Sequence, residues 1–378
     1  MTITLPVSKI VIQKPYIKSA TSERLADSAG APHEEYSTLY KKIAQNRQIG
    51  LLISGHIAVS RDGRAEHNQI YFSSRDKTHS TLTIRNLKRM IKQYKASTTT
   101  PIIAQISHSG SQTPKILFPS HVYGFKPVKN GMFMFPSTLE PPRNYVIEQF
   151  SEACQIALKC GFDGVQLHFA HGYLGADCVE NCPEFADKIF QSCRENVPKN
   201  KIFSVKLNSN AFSVPFIEKI QNDVDFVEMS AGSYSEPLKL IENHKKRYSA
   251  EFSEALMEKK LQCLVCATGG FYSIQEGQNA LDLKQCNLVG FGRLFCLPGA
   301  DKVVRLSDRG AVRQFLRKKL PLATSGPNTV FYQEILQQRG RGNEKWRLPR
   351  YQCVWEGMVL LNWAIGRTRY ATKRAWRK

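Results

Sequence analysis

The feature that most constrains the fold is an alternation of short apolar runs with helical patterns, which continues to about residue 300. The runs are rich in Val, Ile and Phe and almost uninterrupted, as expected for strands buried on both faces of a parallel sheet. A first strand is predicted near Ile10–Ala20, followed by Gly50–Ser54, Pro101–Ile106, Gly164–His168, Ile202–Leu207, Asp225–Ser230, Leu261–Ala267 and Leu288–Phe291.

Helical patterns lie between these runs. One apolar stripe, at positions i, i+3, i+4 and i+7, consists of Leu87, Met90, Ile91 and Tyr94. Residues at this spacing share one face of a helix. A later helix is expected to have Asn144 as its N-cap and Gly161 directly after its end. A shorter stripe over residues 185–193 predicts a third helix.

A strand–helix alternation implies parallel strands joined by crossover helices. The eight predicted strands favour an α/β fold, the (β/α)8 TIM barrel. An open doubly wound sheet is the alternative, but its glycine-rich loop usually follows the first strand, whereas glycine pairs here follow the last two. We expect residues 1–320 to form the barrel and residues 321–378 to form a basic helical extension packed on it. The aperiodic residues 107–143 predict a long loop over the barrel mouth.

The chain is strongly basic, since 53 Lys and Arg against 32 Asp and Glu give a net charge of +21. Such a charge favours anionic partners, but no nucleic-acid-binding motif accompanies it, so nucleic-acid binding is the less favoured interpretation. No apolar run near the C-terminus reaches the roughly 20 residues of a membrane span. The ten Cys residues lie mostly in apolar contexts, which is typical of a reduced, cytoplasmic protein. No metal site is expected, because Cys263 and Cys266 lack a second pair.

Functional residues of such barrels gather at the C-terminal ends of the strands. His168, His171 and Tyr173 follow the fourth predicted strand. Imidazoles can donate hydrogen bonds to a carbonyl or phenolate oxygen, and a tyrosine can deliver a proton. The alternative is a structural role for each side chain. The three together favour a catalytic site.

Two glycine-containing turns, Thr268-Gly269-Gly270-Phe271 and Gly290-Phe291-Gly292-Arg293, follow the seventh and eighth predicted strands. Glycine lets backbone N–H groups approach a phosphate, and an arginine can close on it. Each pair alone could mark an ordinary turn. Their combination at these two strand ends predicts a phosphate site.

Two polar side chains interrupt otherwise apolar strands. Gln105 offers a donor and an acceptor in one amide. Lys206 places an ammonium group in an apolar strand, which is costly unless an anion receives it. That anion is either a ligand or, in a structural alternative, Glu228 on the neighbouring strand.

At these residues the chain resembles the Old Yellow Enzyme family of FMN-dependent NAD(P)H:flavin oxidoreductases, which are (β/α)8 barrels. The resemblance lies in residues 17–27, GLLISGHIAV from Gly50, AQISHSG from Ala104, GFDGVQLHFAHGYL from Gly161, TGGF and GFGR. It implies an enzyme that reduces activated alkenes of the α,β-unsaturated carbonyl type by hydride transfer from reduced flavin. NAD(P)H is the implied reductant.

The resemblance also implies roles for individual residues. The implied FMN contacts are Ala20 and Thr21 beside the isoalloxazine, Ser22 near N5 and O4, Gly55 against the ring, Gln105 at the pyrimidine, Lys206 near N1 and O2, and Gly269, Gly270, Gly292 and Arg293 around the phosphate. His168 and His171 would bind the substrate oxygen, and Tyr173 would protonate the α-carbon.

The sequence departs from the family pattern directly after Tyr173. Only 33 positions (206 − 173) separate Tyr173 from Lys206, so the long segment that usually caps the site is missing. This departure leaves a second hypothesis open, a catalytically impaired flavin-binding or fold-only barrel that acts as a binding or regulatory protein.

Overall fold

The computed structural model describes residues 2–27, 30–66, 68–72, 77–113, 122–126, 138–230 and 248–296, together with Gln337 and Arg341. Apart from these last two residues, the predicted extension 321–378 lies outside the described residues. So do residues 114–121 and 127–137 of the predicted mouth loop.

The strands in chain order are β1 (Ile3–Thr4), β2 (Val11–Ile12), β3 (Tyr16–Lys18), β4 (Leu51–Ala58), β5 (Ile102–Ser107), β6 (Val122–Tyr123), β7 (Thr138–Leu139), β8 (Gly164–Phe169), β9 (Ile202–Asn208), β10 (Phe226–Ser230), β11 (Leu264–Thr268) and β12 (Leu288–Phe291). All but β1, β2, β6 and β7 close into one barrel, in the order β10-β11-β12-β3-β4-β5-β8-β9. Every neighbouring pair in the barrel is parallel. The predicted (β/α)8 barrel is therefore confirmed.

The described helices are α1 (Glu34–Ala44), α2 (Lys77–Lys95), α3 (Arg143–Lys159), α4 (Leu174–Asn181), α5 (Pro183–Glu195), α6 (Ser213–Ile220), α7 (Tyr248–Glu258) and α8 (Ile274–Asp282). The predicted stripe of α2 is buried, with Leu87 and Tyr94 fully inaccessible. None of the described helices is long and apolar enough to cross a membrane.

Of the two predicted ends of α3, the structure agrees with the C-terminal one and differs at the N-terminal one. Gly161 follows the helix with φ +99°, a left-handed conformation that glycine adopts without strain. The predicted cap at Asn144 is wrong, because the N-cap is Pro142 and the helix begins at Arg143. The ring of Pro142 presets its φ near −67°, and its carbonyl accepts the first helical bond from the Val146 N–H.

The hairpin β1–β2 closes the N-terminal end of the barrel. Asp225, just before β10, accepts hydrogen bonds from the Val7 and Ser8 N–H groups at 2.9 and 2.8 Å and from the Ser8 hydroxyl at 3.1 Å. Burial raises the pKa of Asp225, while these donors favour its charged form. The smaller apolar cluster of the core combines hairpin residues with strand residues: Leu5, Ile12, Ile17, Leu51, Ile53, Ile103, Ile202, Phe226, Cys266 and Leu288. The hairpin therefore covers the end of the barrel opposite to the C-terminal ends of its strands.

Candidate functional site

The end of β8 and the turn after it bring His168, His171 and Tyr173 together. The ring centroid of His168 lies 5.1 Å from that of His171 and 4.9 Å from that of Tyr173. His171 holds a left-handed φ of 61°, and its N–H is bound by the Asn208 side chain at 2.8 Å. A non-glycine residue in this region carries strain, so the turn is held in place by its neighbours.

Burial keeps both histidines neutral at physiological pH. Burial lowers the pKa of His168 well below its ordinary value, with smaller contributions from His171 and Lys206. Burial, assisted by Lys206, lowers the pKa of His171 to about 3. His168 Nδ1 is buried and has no hydrogen-bond partner, while His171 Nε2 lies 3.0 Å from Ser230 Oγ. The site therefore offers imidazole groups to a ligand oxygen.

A third imidazole, His56 on β4, belongs to this cluster and was not identified from the sequence. Its ring lies 5.7 Å from the Tyr173 ring and 6.3 Å from the His168 ring. The pairing of β4 with β5 shifts register between Ile53 and His56. Such a shift changes the direction in which the neighbouring side chains point. The signal available in the sequence was one ionisable residue among the mostly apolar residues of β4.

A polar network lies inside the barrel beneath the imidazoles. Lys206 Nζ forms an ion pair with Glu228 Oε1 at 3.0 Å, and both side chains are buried. Gln166 donates to Glu228 Oε2 at 2.8 Å and accepts from Gln105 Nε2 at 2.7 Å. Burial alone would raise the pKa of Glu228, but Lys206 and Gln166 hold it below its ordinary value. The salt bridge considered as the structural alternative for Lys206 is therefore present.

Gly55 contacts a carboxylate from the segment after β3. Its N–H donates to Glu23 Oε1 at 2.8 Å and to the Tyr40 hydroxyl at 2.9 Å. A Cβ atom at position 55 would lie 1.8 Å from Glu23 Oε2. Tyr36 and Tyr40 also donate to this carboxylate, and burial raises the pKa of Glu23. The predicted flavin contact of Gly55 stays a prediction, with its amide already engaged.

Ala20, Thr21 and Ser22 are half-buried in the segment after β3. The Ser22 hydroxyl donates to Glu66 Oε2 at 2.5 Å, and Arg24 Nε lies 3.1 Å from the same oxygen. Thr21 Oγ1 accepts a hydrogen bond from Lys18 Nζ at 3.0 Å. The Ser22 side chain is thus oriented by a charged pair that the sequence did not reveal.

The turns after β11 and β12 supply the elements of an anion site. Gly269 and Gly270 have φ of +103° and +82°, and a Cβ at Gly292 would meet only Thr21 Oγ1, at 3.6 Å. The Arg293 guanidinium lies 5.3 Å from the Tyr272 ring centroid and 3.3 Å from its hydroxyl. It forms no ion pair with any described carboxylate.

These residues fit a flavin mononucleotide. Left-handed glycines beside a guanidinium without an ion pair match a phosphate monoester. The Lys206 ammonium carries three protons and donates one to Glu228 among the described residues, which leaves protons for a ring oxygen. No group of three or more described His, Cys, Asp or Glu residues is arranged to bind a metal.

The sequence model of the NADH:flavin oxidoreductase / NADH oxidase family matches residues 15–182. The NADH-dependent flavin oxidoreductase iliE of Hypocrea jecorina (strain QM6a) is 24% identical over 330 residues, which cover 73% of this chain and 81% of that protein.

Solved structures share the fold. The Old Yellow Enzyme homologue from Zymomonas mobilis superposes with a TM-score of 0.64 at 17% identity, over 87% of this chain and 94% of that one. A 2-naphthoyl-CoA reductase superposes with a TM-score of 0.68 at 16% identity, over 78% of this chain and 50% of that one. The family predicted from the sequence motifs is confirmed by the matched sequence model and the iliE relative. Residues 15–182 are thus similar to the NADH:flavin oxidoreductase / NADH oxidase family, and the chain is an oxidoreductase whose cofactor is FMN and whose reductant is NAD(P)H.

Proposed function

We propose that the protein reduces activated alkenes of the α,β-unsaturated carbonyl type. The observation that carries the proposal is the cluster of His168, His171 and Tyr173, in which two neutral imidazoles adjoin one phenol at the end of β8. Bound FMN supplies the hydride chemistry, with NAD(P)H as the source of electrons.

The imidazoles bind and polarise the substrate. His168 and His171 donate hydrogen bonds to the carbonyl oxygen, which makes the conjugated β-carbon more electrophilic. Because burial keeps both rings neutral, they stabilise developing negative charge on the oxygen without losing a proton to solvent. Tyr173 then delivers a proton to the α-carbon, which completes the saturated product.

The remaining site residues hold and orient the cofactor. Gly269, Gly270, Gly292 and Arg293 bind its phosphate, and Lys206 stabilises negative charge on the ring. Glu228 neutralises part of the Lys206 charge at 3.0 Å, so the electrostatic effect of this lysine is smaller than that of an unpaired ammonium.

The absorbance spectrum of the purified protein tests this proposal. We expect a yellow protein whose flavin band bleaches with NADPH or NADH under anaerobic conditions and returns when cyclohexenone is added. A flavin that stays oxidised with an excess of both nicotinamides would contradict the proposal.

One observation favours a second candidate, a flavin-binding protein that does not turn over. Helix α4 begins directly after Tyr173, which is its N-cap, and α5 follows it without a long connection. Residues 173–206 therefore contain no segment that covers the site. Tight flavin binding without reduction by either nicotinamide would support this candidate, and steady-state reduction of an enone would remove it.

A further inference from the structure

The hydrogen bonds around Gln69 determine where His56 carries its proton. The Ala65 N–H donates to Gln69 Oε1 at 2.7 Å, which assigns the oxygen end of the amide. The other end, Gln69 Nε2, lies 3.0 Å from His56 Nδ1 and 3.1 Å from the His56 carbonyl oxygen. An amide nitrogen can only donate, so His56 Nδ1 is an acceptor.

The proton of the neutral His56 ring is therefore on Nε2. Burial lowers the pKa of His56, so the ring is neutral at physiological pH. The Ser107 hydroxyl, 3.1 Å from Nδ1, can donate to the same nitrogen. No hydrogen bond joins Nε2 to any described residue, and the nearest aromatic groups are Tyr173 and His168.

This N–H reaches the site from a different side than the two histidines after β8. His56 projects from β4, which is separated from β8 by β5. Its ring is 6.3 Å from His168, whereas His171 is 5.1 Å from His168. If His168 and His171 bind one oxygen of the ligand, the His56 N–H can donate a hydrogen bond to a different atom of the same ligand.

We propose that His56 is a specificity residue, which donates a hydrogen bond from Nε2 to a second acceptor oxygen of the substrate. The site then selects activated alkenes that carry a second carbonyl or hydroxyl oxygen besides the one bound by His168 and His171. This inference rests on the proposed function and names its substrate class. A ligand without the second oxygen would displace water from the partly buried His56 donor and leave it unpaired, which disfavours that ligand.

Matched phenols test the inference by calorimetry on the flavin-loaded protein. The pairs are 3-hydroxyphenol with 3-methylphenol and 4-hydroxyphenol with 4-methylphenol, which differ only in hydroxyl against methyl. Between the wild type and His56→Phe, the ratio of dissociation constants should change about tenfold in at least one pair. The control His108→Phe replaces a buried histidine near Tyr123, and it should leave both ratios unchanged.

A ratio that does not change in either pair would overturn the inference. If His56→Phe does not fold, histidine labelled with nitrogen-15 in the wild type gives the same decision. The His56 signals should show a proton on Nε2 and shift with a dihydroxy ligand more than with its methyl partner. A proton on Nδ1, or equal shifts within both pairs, would refute it. Neither readout requires flavin reduction, so failure of the proposed function is recognised separately.

Discussion

At the scale of single residues, Glu23 and Gly55 are far apart in the sequence, but the Glu23 side chain fills the space directly beside Gly55. The Glu23 carboxylate occupies the place where a side chain at position 55 would begin, because a Cβ there would lie 1.8 Å from Oε2. Three donors, from Gly55, Tyr36 and Tyr40, hold this carboxylate. The glycine is thus required by packing.

Replacing Gly55 by alanine should destabilise the fold, because a buried carboxylate with three donors cannot move aside without losing hydrogen bonds. We expect a loss of about 1–3 kcal/mol in the free energy of unfolding, measured by urea denaturation. Gly292→Ala is the control, since the added Cβ meets only Thr21 Oγ1 at 3.6 Å. Equal losses for the two variants would contradict this account.

The proton donation proposed for Tyr173 belongs to only one of the two half-reactions, the reduction of the alkene. Tyr173→Phe keeps the ring beside His168 and His56 but removes the proton donor. Oxidation of the reduced enzyme by an enone should slow by roughly 10²–10⁴-fold, while flavin reduction by NADPH stays within about twofold of the wild type. Stopped-flow absorbance measures both rates. Slowing of flavin reduction alone would assign Tyr173 to the nicotinamide instead.

At the scale of elements, the strands were predictable because burial on both faces leaves continuous apolar runs in the sequence. β12 was predicted with its observed ends, and β4 extends past its predicted end at Ser54 to Ala58. The extra residues include Gly55 and His56, whose polar or small character ended the predicted run. The N-cap of α3 was missed because proline can begin a helix without a side-chain cap.

The N-terminal hairpin depends on one side chain outside it. Asp225→Asn would replace a carboxylate that accepts three hydrogen bonds from Val7 and Ser8 and one from the Phe203 N–H by a neutral amide, and we expect a cost of about 1.5–3 kcal/mol. Amide exchange of residues 3–12 should accelerate more than that of β8. Asp187→Asn, at an exposed ion pair with Lys219, is the control and should change stability little. Unchanged exchange in the hairpin would show that packing alone holds it.

At the scale of the whole molecule, buried neutral histidines make stability depend on pH. Burial lowers the pKa of His108 to about 4, against about 6.5 in an unfolded chain. Between these values the unfolded chain binds a proton that the folded protein does not. The free energy of unfolding therefore falls as the pH falls below 6.5, and it rises again towards neutrality.

From pH 7 to pH 5, His108 alone should cost about 2 kcal/mol of stability. Urea denaturation of the wild type and His108→Gln at both pH values measures this contribution, because glutamine can still accept from the Gly110 N–H but does not titrate. The variant should lose less stability on acidification than the wild type. Parallel losses would mean that other groups, such as His171, carry the whole effect.

The candidate site was partly predictable at this scale. Because functional residues of such barrels gather at the C-terminal ends of the strands, the sequence predicted a cluster of His168, His171 and Tyr173, which follow one strand closely. The ion pair of Lys206 with Glu228 on the neighbouring strand was considered only as the structural alternative to a ligand contact. The sequence did not predict three other contacts, because they depend on loop paths that leave no periodic signal. These contacts join Gly55 to Glu23, Ser22 to Glu66 and His56 to Gln69.

The hydrogen bonds that hold the N-terminal hairpin to the barrel can form only late in the synthesis of the chain. Val7 and Ser8 leave the ribosome early, but their acceptor follows 218 and 217 residues later. At roughly 5–20 residues per second, this interval lasts on the order of ten to forty seconds. The acceptor of the hairpin is thus missing until β10, the sixth barrel strand, emerges, and the inner apolar residues stay exposed to chaperones and proteases until β12 pairs with β3 and closes the barrel.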